Sequence, residues 1–276
     1  QLKYIKISTI CLNDAYPSIR LSDIREFNIN WPIDPKIREQ IVVLLEKAEK
    51  IKDWRKEADG LSKDYLKSVF VDMFGDPHKN NKNWPVKKIK EDIKEIKYGT
   101  STPPIFSETG YAFIRATNIK KGRIVSANML FIDKKEADKI KKCELKKNHI
   151  IIVRSGVNTG DTCVIQQKYV GAYGGYDLIL ELKNQELNPT YLNELFNHPY
   201  YAQKLKILSR RAGQPHLNSE QIKTLEVIYP PKKLQDNFEV IVNKTNDLIK
   251  DQNQINIFSD KLFNSLMQKA FKGELI

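Results

Sequence analysis

Apolar positions recur every seven residues in two seams along the first third of the chain. Ile37, Leu44, Ile51, Ala58 and Tyr65 form one seam, and Ile41, Ala48, Arg55, Ser62 and Val69 follow four residues behind as the other. The same outline returns 197 positions later, without a gap, as Leu234, Ile241, Leu248, Ile255 and Leu262, with Phe238, Thr245, Gln252, Ser259 and Leu266 on the second seam. A sustained heptad of this kind predicts long helices. At 1.5 Å per residue each is on the order of 55 Å long, more than a small domain needs to cover its core. Both turn polar on the second seam at the same two layers, Arg55/Ser62 and Gln252/Ser259, and polar residues at matching depth set the register of paired helices. The plainer reading is that each helix packs on its own neighbouring globule.

The repeat begins ahead of the helices. "YPSIRLSDIREFNINWP" (16–32) parallels "QPHLNSEQIKTLEVIYP" (214–230), and the alternation Phe27, Ile29, Trp31, like Leu225, Val227, Tyr229, predicts a strand halted by the prolines that follow. The expected order is the end of one globular domain (1–33), a helix (34–77), a complete domain (78–231) and a second helix (232–276).

In the middle segment the pattern shortens. Strands are expected at Ala112–Arg115, Ile150–Arg154, Thr162–Gln166 and Leu178–Leu182, and helices near Lys134–Lys142, Pro189–Phe196 and Tyr200–Ser209, so the fold class is α+β. Between them lie "KYGTSTPP", "IRATNIKKGR", "VRSGVNTGDT", "GAYGGYD" and "SRRAGQPHLN". Small residues there let backbone N–H groups approach phosphate, while Arg, Asn, Gln, Thr and Tyr suit base edges or the sugar–phosphate backbone. Each loop alone is more often only a turn.

Charge changes the balance. Residues 79–230 hold 26 Lys+Arg against 15 Asp+Glu, while residues 1–78 hold 13 of each and residues 231–276 hold 7 against 6, so nearly all of the net +12 lies in the middle segment. A localised excess favours a polyanion-binding face over general solubility charge. The candidate contacts are Tyr98, Thr100, Ser101, Thr102, Arg115, Thr117, Asn118, Lys120, Lys121, Arg154, Ser155, Asn158, Thr159, Tyr173, Tyr176, Arg210, Arg211, Gln214 and His216. Lys120, Lys121, Lys141, Lys142, Lys146 and Lys147 suit phosphate.

No apolar run approaches the ~20 residues that cross a bilayer, and no secretory leader pattern opens the chain, so no membrane association and a cytoplasmic location are expected. Cys11, Cys143 and Cys163 are odd in number and without CxxC spacing, which predicts free thiols rather than a disulfide or zinc site. "NHPYY" (197–201) is similar to the Asn-Pro-Pro-Tyr of amino-methyltransferases, but His198 replaces the first proline and no Gly-rich cofactor loop accompanies it; a helix-capping turn is expected. "SGVNTGDT" lacks the Gly-Lys-Ser/Thr of a P-loop. With His78, His149, His198 and His216 scattered, no catalytic residue, metal or cofactor is expected.

The helix "IREQIVVLLEKAEKI", its close "LKSVFVDMFGD", the loops "YGTSTPP", "IRATNI", "RSG" and "GQPHL", and the final "QKAFKGEL" together resemble the specificity subunit of type I restriction-modification enzymes. That resemblance implies target recognition domains that each read half of a split site on double-stranded DNA. It further implies two long helices pairing as an antiparallel coiled coil that docks methyltransferase (modification) subunits, with restriction subunits as further partners. Glu39, Gln40, Phe70, Phe74 and Phe271 are the residues expected at the docking contact. Methylation and cleavage would reside in the partner subunits. The chain departs from the pattern in holding only about 30 residues of a first recognition domain, which suggests a truncated form or a half-subunit that forms a homodimer. It also has Asp236-Asn237 where the first helix has Glu39-Gln40. Two other classes compete: a coiled-coil scaffold whose basic domain binds RNA or acidic protein, and an enzyme acting alone on DNA.

Overall fold

The computed structural model describes residue 25 and residues 34–272, apart from 121, 184, 211 and 212. The expected strand at 27–31 and the proposed remnant domain therefore lie outside the described residues, Arg25 excepted. Two helices, α1 (Pro35–Phe74) and α6 (Lys232–Lys272), run for 40 and 41 residues. Asp34 starts α1 by accepting the Lys36 N–H at its carboxylate, with Pro35 in the first turn where its missing N–H costs nothing. Gly75 ends the helix at φ +80°, its N–H reaching the Val71 carbonyl at 2.7 Å, and the Trp84 indole N–H takes the Phe74 carbonyl at 2.8 Å.

By its contacts the chain divides into residues 63–246 and a second unit made of 1–62 with 247–276. The division falls within both helices, so their inner ends belong to the middle unit. That unit also holds β1 (Val86–Lys88), β2 (Ile93–Tyr98), β3 (Tyr111–Ile114), β4 (Ile119–Lys120), β5 (Arg123–Ile124), β6 (Leu130–Ile132), α2 (Lys134–Lys139), β7 (Ile150–Ile152), β8 (Thr162–Val164), β9 (Tyr173–Gly174), β10 (Leu178–Leu182), α3 (Pro189–Asn197), α4 (Pro199–Leu208), α5 (Ser219–Lys223) and β11 (Glu226–Ile228). The expected α+β class holds, and the four expected strands and three expected helices stand within a few residues of their places. His198 closes α3 and opens α4, its ring accepting the Tyr200 N–H, so "NHPYY" is the expected capping turn and not a methyltransferase motif.

The main sheet has the antiparallel order β2-β10-β7-β8. Its two central strands are apolar on both faces, as strands covered on both sides must be. Ile150, Ile152, Leu178 and Leu180 enter a large core with Leu66, Phe70, Phe74, Tyr191 and Phe238. Ile151 and Ile179, one residue out of phase, enter a smaller core with Ile114, Leu145 and Ile165. A second sheet, β6-β3-β9, and the hairpin β4-β5 complete the unit's loop-rich side. Cys143 and Cys163 are buried free thiols, and burial pushes both up; Cys11 lies outside the described residues.

The heptad seams hold in part. In α6 the second-seam Phe238 and Thr245 are covered as expected, together with Gln235, Val242, Ile249 and Met267, whereas Leu248 and Leu262 of the first seam are 64% and 50% exposed. In α1, Ile41 is buried but Ile51 and Tyr65 are 43% and 53% exposed, and the buried set continues as Leu66, Phe70 and Phe74. A straight helix of 3.6 residues per turn drifts from a strict sevenfold repeat by ~20° per heptad, and the inner helix ends face a globular core, not a single seam. Phe70 and Phe74, expected at a docking surface, are 3% and 0% exposed and pack on Tyr191 and Phe238. They are core residues. Glu39 and Gln40 are exposed, and the Phe271 side chain lies outside the described residues.

Candidate nucleic-acid interface

Strand register brings distant loops to one end of the main sheet. Leu178 pairs with Tyr98 on one side and with Ile152 on the other, so the end of β2, the start of β10 and the end of β7 lie level. Side chains alternate faces along a strand. Arg154 therefore falls on the same face as Ile152, and Tyr176 on the same face as Leu178, so the apolar face of the large core gives way beyond the strand ends to aromatic and cationic side chains.

There the Arg154 guanidinium carbon lies 4.7 Å from the Tyr98 ring centroid and 4.4 Å from that of Tyr176, a cation held between two π faces. Its Nη2 donates to His216 Nε2, while its Nε is buried and makes no hydrogen bond. The two tyrosine residues are 39% and 44% exposed. The Tyr98 hydroxyl donates to Ser219 Oγ at 3.2 Å and accepts the Ser219 N–H at 3.1 Å, fixing the ring to the start of α5. Burial raises the Tyr98 hydroxyl, but those bonds and the Arg154 charge outweigh it and hold the group below the ordinary phenol value. Ser155 bridges to His216 through the backbone, and the Leu217 N–H reaches the Arg154 carbonyl at 2.8 Å.

Asp177 sits beneath this cluster, 3% exposed, accepting the Arg154 backbone N–H at 3.1 Å. Burial pushes its carboxyl up to about 6, against the pull of that bond and the Arg154 charge. The backbone alongside is close-packed: a Cβ on Gly99 would stand 1.4 Å from the Gly175 carbonyl oxygen, so only glycine lets the 98–102 and 173–177 segments cross.

A second group of expected residues meets around the turn after β3. Asn118 is 1% exposed and turns inward, accepting the Arg115 N–H and donating to the Val125 and Ala127 carbonyls. Asn158 donates to the Ala116 carbonyl at 3.3 Å, and Arg115 donates to the Asn128 carbonyl at 2.8 Å while its Nε is buried without a hydrogen bond. Thr159 is buried with its hydroxyl on the Gly156 carbonyl, and Tyr173 is 7% exposed, edge-on to Tyr111. Asn118, Thr159 and Tyr173 thus build the loops rather than presenting a surface. A sequence pattern reports residue type and cannot tell a polar side chain that faces outward from one that ties a loop.

Of the remaining candidates, Ser101, Thr102, Thr117, Lys120, Arg210 and Gln214 are exposed, and the Thr100 hydroxyl caps the Thr102 carbonyl. Lys120 stands opposite Arg123 in the β4-β5 hairpin. Lys121 and Arg211 lie outside the described residues. Sequence reasoning missed Asp177 and Ser219; an Asp directly ahead of the apolar run "LILEL" was the available signal for the first.

A family model described as the type I restriction modification DNA specificity domain matches residues 81–261. A protein of Methanocaldococcus jannaschii, named for the type I restriction enzyme MjaX specificity subunit, is 23% identical over 193 residues, which make up 68% of this chain and 45% of that protein. This chain thus spans less than half the length of the curated relative it matches. Among solved structures, a type I restriction-modification S subunit from M. genitalium aligns over 98% of this chain and 70% of its own at TM-score 0.60 and 14% identity. The HsdS subunit of Thermoanaerobacter tengcongensis aligns over 98% and 68% at TM-score 0.51 and 15% identity. A chain from a type I R-M system, solved for its complex assembly and conformational transition, aligns over 95% and 66% at TM-score 0.58 and 16% identity. At these identities the structures show a shared fold. With more than half of its length matched by the family model, the chain belongs to the type I restriction modification DNA specificity domain family.

Proposed function

We propose that this chain is a DNA-recognition subunit of a type I restriction-modification complex and reads part of a split target on double-stranded DNA. The observation that carries this reading is the convergence of Tyr98, Arg154, Tyr176 and His216 at one end of the main sheet, in the segment that holds nearly all of the net positive charge. Exposed Thr102, Thr117, Lys120, Arg210 and Gln214 extend the reading surface over the neighbouring loops. Arginine pairs with guanine and Asn or Gln with adenine through double hydrogen bonds, and lysines neutralise phosphate. The outer parts of α1 and α6 pair as an antiparallel coiled coil that sets the distance between half-sites, much as dimer geometry sets half-site spacing elsewhere, and they dock the methyltransferase subunits. Glu39 and Gln40 stand exposed at the outer end of α1 for that contact. The chain carries no chemistry itself; adenine methylation and cleavage belong to the methyltransferase and restriction subunits. No described helix is long and apolar enough to cross a membrane, and the proposed setting is the cytoplasm, with a homodimer as the arrangement if one chain supplies only half of the recognition.

The test is to co-purify the chain with its methyltransferase subunit and map methylated adenines on a random-sequence library. A single bipartite motif, lost when the chain is omitted, is the expected result. Methylation without sequence preference, or equal retention of RNA and duplex DNA, would overturn the reading.

A further inference from the structure

We infer that Arg154 reads a guanine through the outer edge of its guanidinium, with Tyr98, Tyr176 and His216 as positioning residues. The inference rests on the DNA-recognition reading above and narrows it to one base. An arginine offers five N–H donors in a flat fork. Here the carbon of that fork lies over both the Tyr98 and the Tyr176 rings, 4.7 and 4.4 Å from their centroids. The inner edge is closed to ligand, because Nε is buried. One Nη2 donor goes to His216 Nε2. Arginine only donates, so that ring nitrogen is the acceptor of this contact.

The remaining donors are those of Nη1 and the second N–H of Nη2, on a side chain that is partly exposed; one N–H from each Nη can act as a parallel pair. In the major groove only guanine presents two adjacent acceptors, O6 and N7; adenine offers an acceptor beside a donor, thymine one acceptor and a methyl, cytosine a donor. The positioning is itself anchored. Tyr98 is pinned by Ser219 and the Arg154 backbone N–H is pinned by Asp177, while the His216 N–H is held by the Ser209 carbonyl at 2.9 Å. A long side chain held by Tyr98, Tyr176 and His216 loses little freedom on binding, which turns a general cation into a base reader.

The experiment is selection from a randomised duplex pool by the full chain and by Arg154→Gln and Arg154→Lys, with binding then measured at several salt concentrations. The wild-type motif is expected to contain one guanine column that both variants lose while the other columns persist. Affinity for the cognate duplex should fall about 10- to 100-fold; affinity for a duplex with that guanine replaced should not fall. Arg154→Lys keeps the cation between the rings without the fork, so it decides the matter if Arg154→Gln fails to fold. Unchanged columns overturn the inference and leave DNA recognition standing. Equal weakening on every duplex, with the salt slope reduced by about one, assigns Arg154 to a phosphate and also overturns it. A wild-type chain that selects no motif counts against the recognition reading itself.

Discussion

Phe74, in the last turn of α1, meets Phe238, near the start of α6, edge to face with ring centroids 5.3 Å apart and planes at 85°. Phe70 touches both rings, at 5.0 and 5.6 Å, and Tyr191 from α3 closes the group against Phe74 at 4.7 Å. The inner ends of the two long helices are therefore joined through the same aromatic core that backs the main sheet. Removing a fully buried ring leaves a cavity as well as lost transfer energy, so Phe74→Ala should cost about 3–5 kcal/mol. Urea denaturation measures it; a loss below about 1 kcal/mol would contradict the core assignment.

Gln235 is a buried side chain whose polar atoms are matched. Its Oε1 accepts the Asn188 N–H at 2.9 Å, and its Nε2 donates to the Glu186 and Pro230 carbonyls at 2.9 and 2.7 Å. Asn188 in turn caps α3 and donates to Asp236 and Glu239. Gln235→Ala strands buried backbone groups, and we expect destabilisation of about 2–3 kcal/mol. Gln235→Leu, of similar volume, should be no better, because the loss is of hydrogen bonds; thermal melting of the two variants side by side distinguishes a packing role from a polar one.

Asp177 should make the fold more stable in mild acid. Its carboxyl rises from an ordinary 3.8 to about 6 in the folded chain, so between those values the folded state binds more protons than the unfolded one and stability falls as pH rises. At about 1.4 kcal/mol per pH unit, the penalty above pH 6 is on the order of 3 kcal/mol and is relieved as pH drops through 6 towards 4. Asp177→Asn retains an acceptor for the Arg154 N–H. It should be as stable as the parent near pH 4 and more stable at pH 8. Denaturant midpoints at the two pH values provide the check, and a variant weakened equally at both would refute it.

Lys120 tests the sequence-independent part of binding. It is exposed on the β4-β5 hairpin, and loss of one phosphate contact should lower the slope of log affinity against log salt by about 0.9 for duplex DNA. Lys120→Ala should weaken cognate and scrambled duplexes alike; an unchanged slope removes Lys120 from the interface.

Local chemistry was sufficient for much of this architecture. Asp34-Pro35 and Gly75 bound α1 because capping and left-handed backbone depend on a few neighbouring residues. The short apolar runs Ile150–Ile152 and Leu178–Leu180 predict covered strands. The charge excess of 79–230 and the outline shared by the two helices are likewise properties of the chain read in order.

Tertiary structure decided what those elements face. Ile249 rather than Leu248 is covered in α6, because helix drift carries the buried stripe off a strict sevenfold seam. Phe70 and Phe74 enter that core, and Asn118 turns inward to tie its own loop. Arg154 and Arg115 look alike in sequence, yet only Arg154 lies between two rings, because the pairing of Tyr98 and Ile152 with Leu178 sets residues 54 positions apart at one level of one sheet. Patterns along a chain report periodicity and local propensity; which side chain finds which partner depends on long-range register, and that is fixed only when the strands pair.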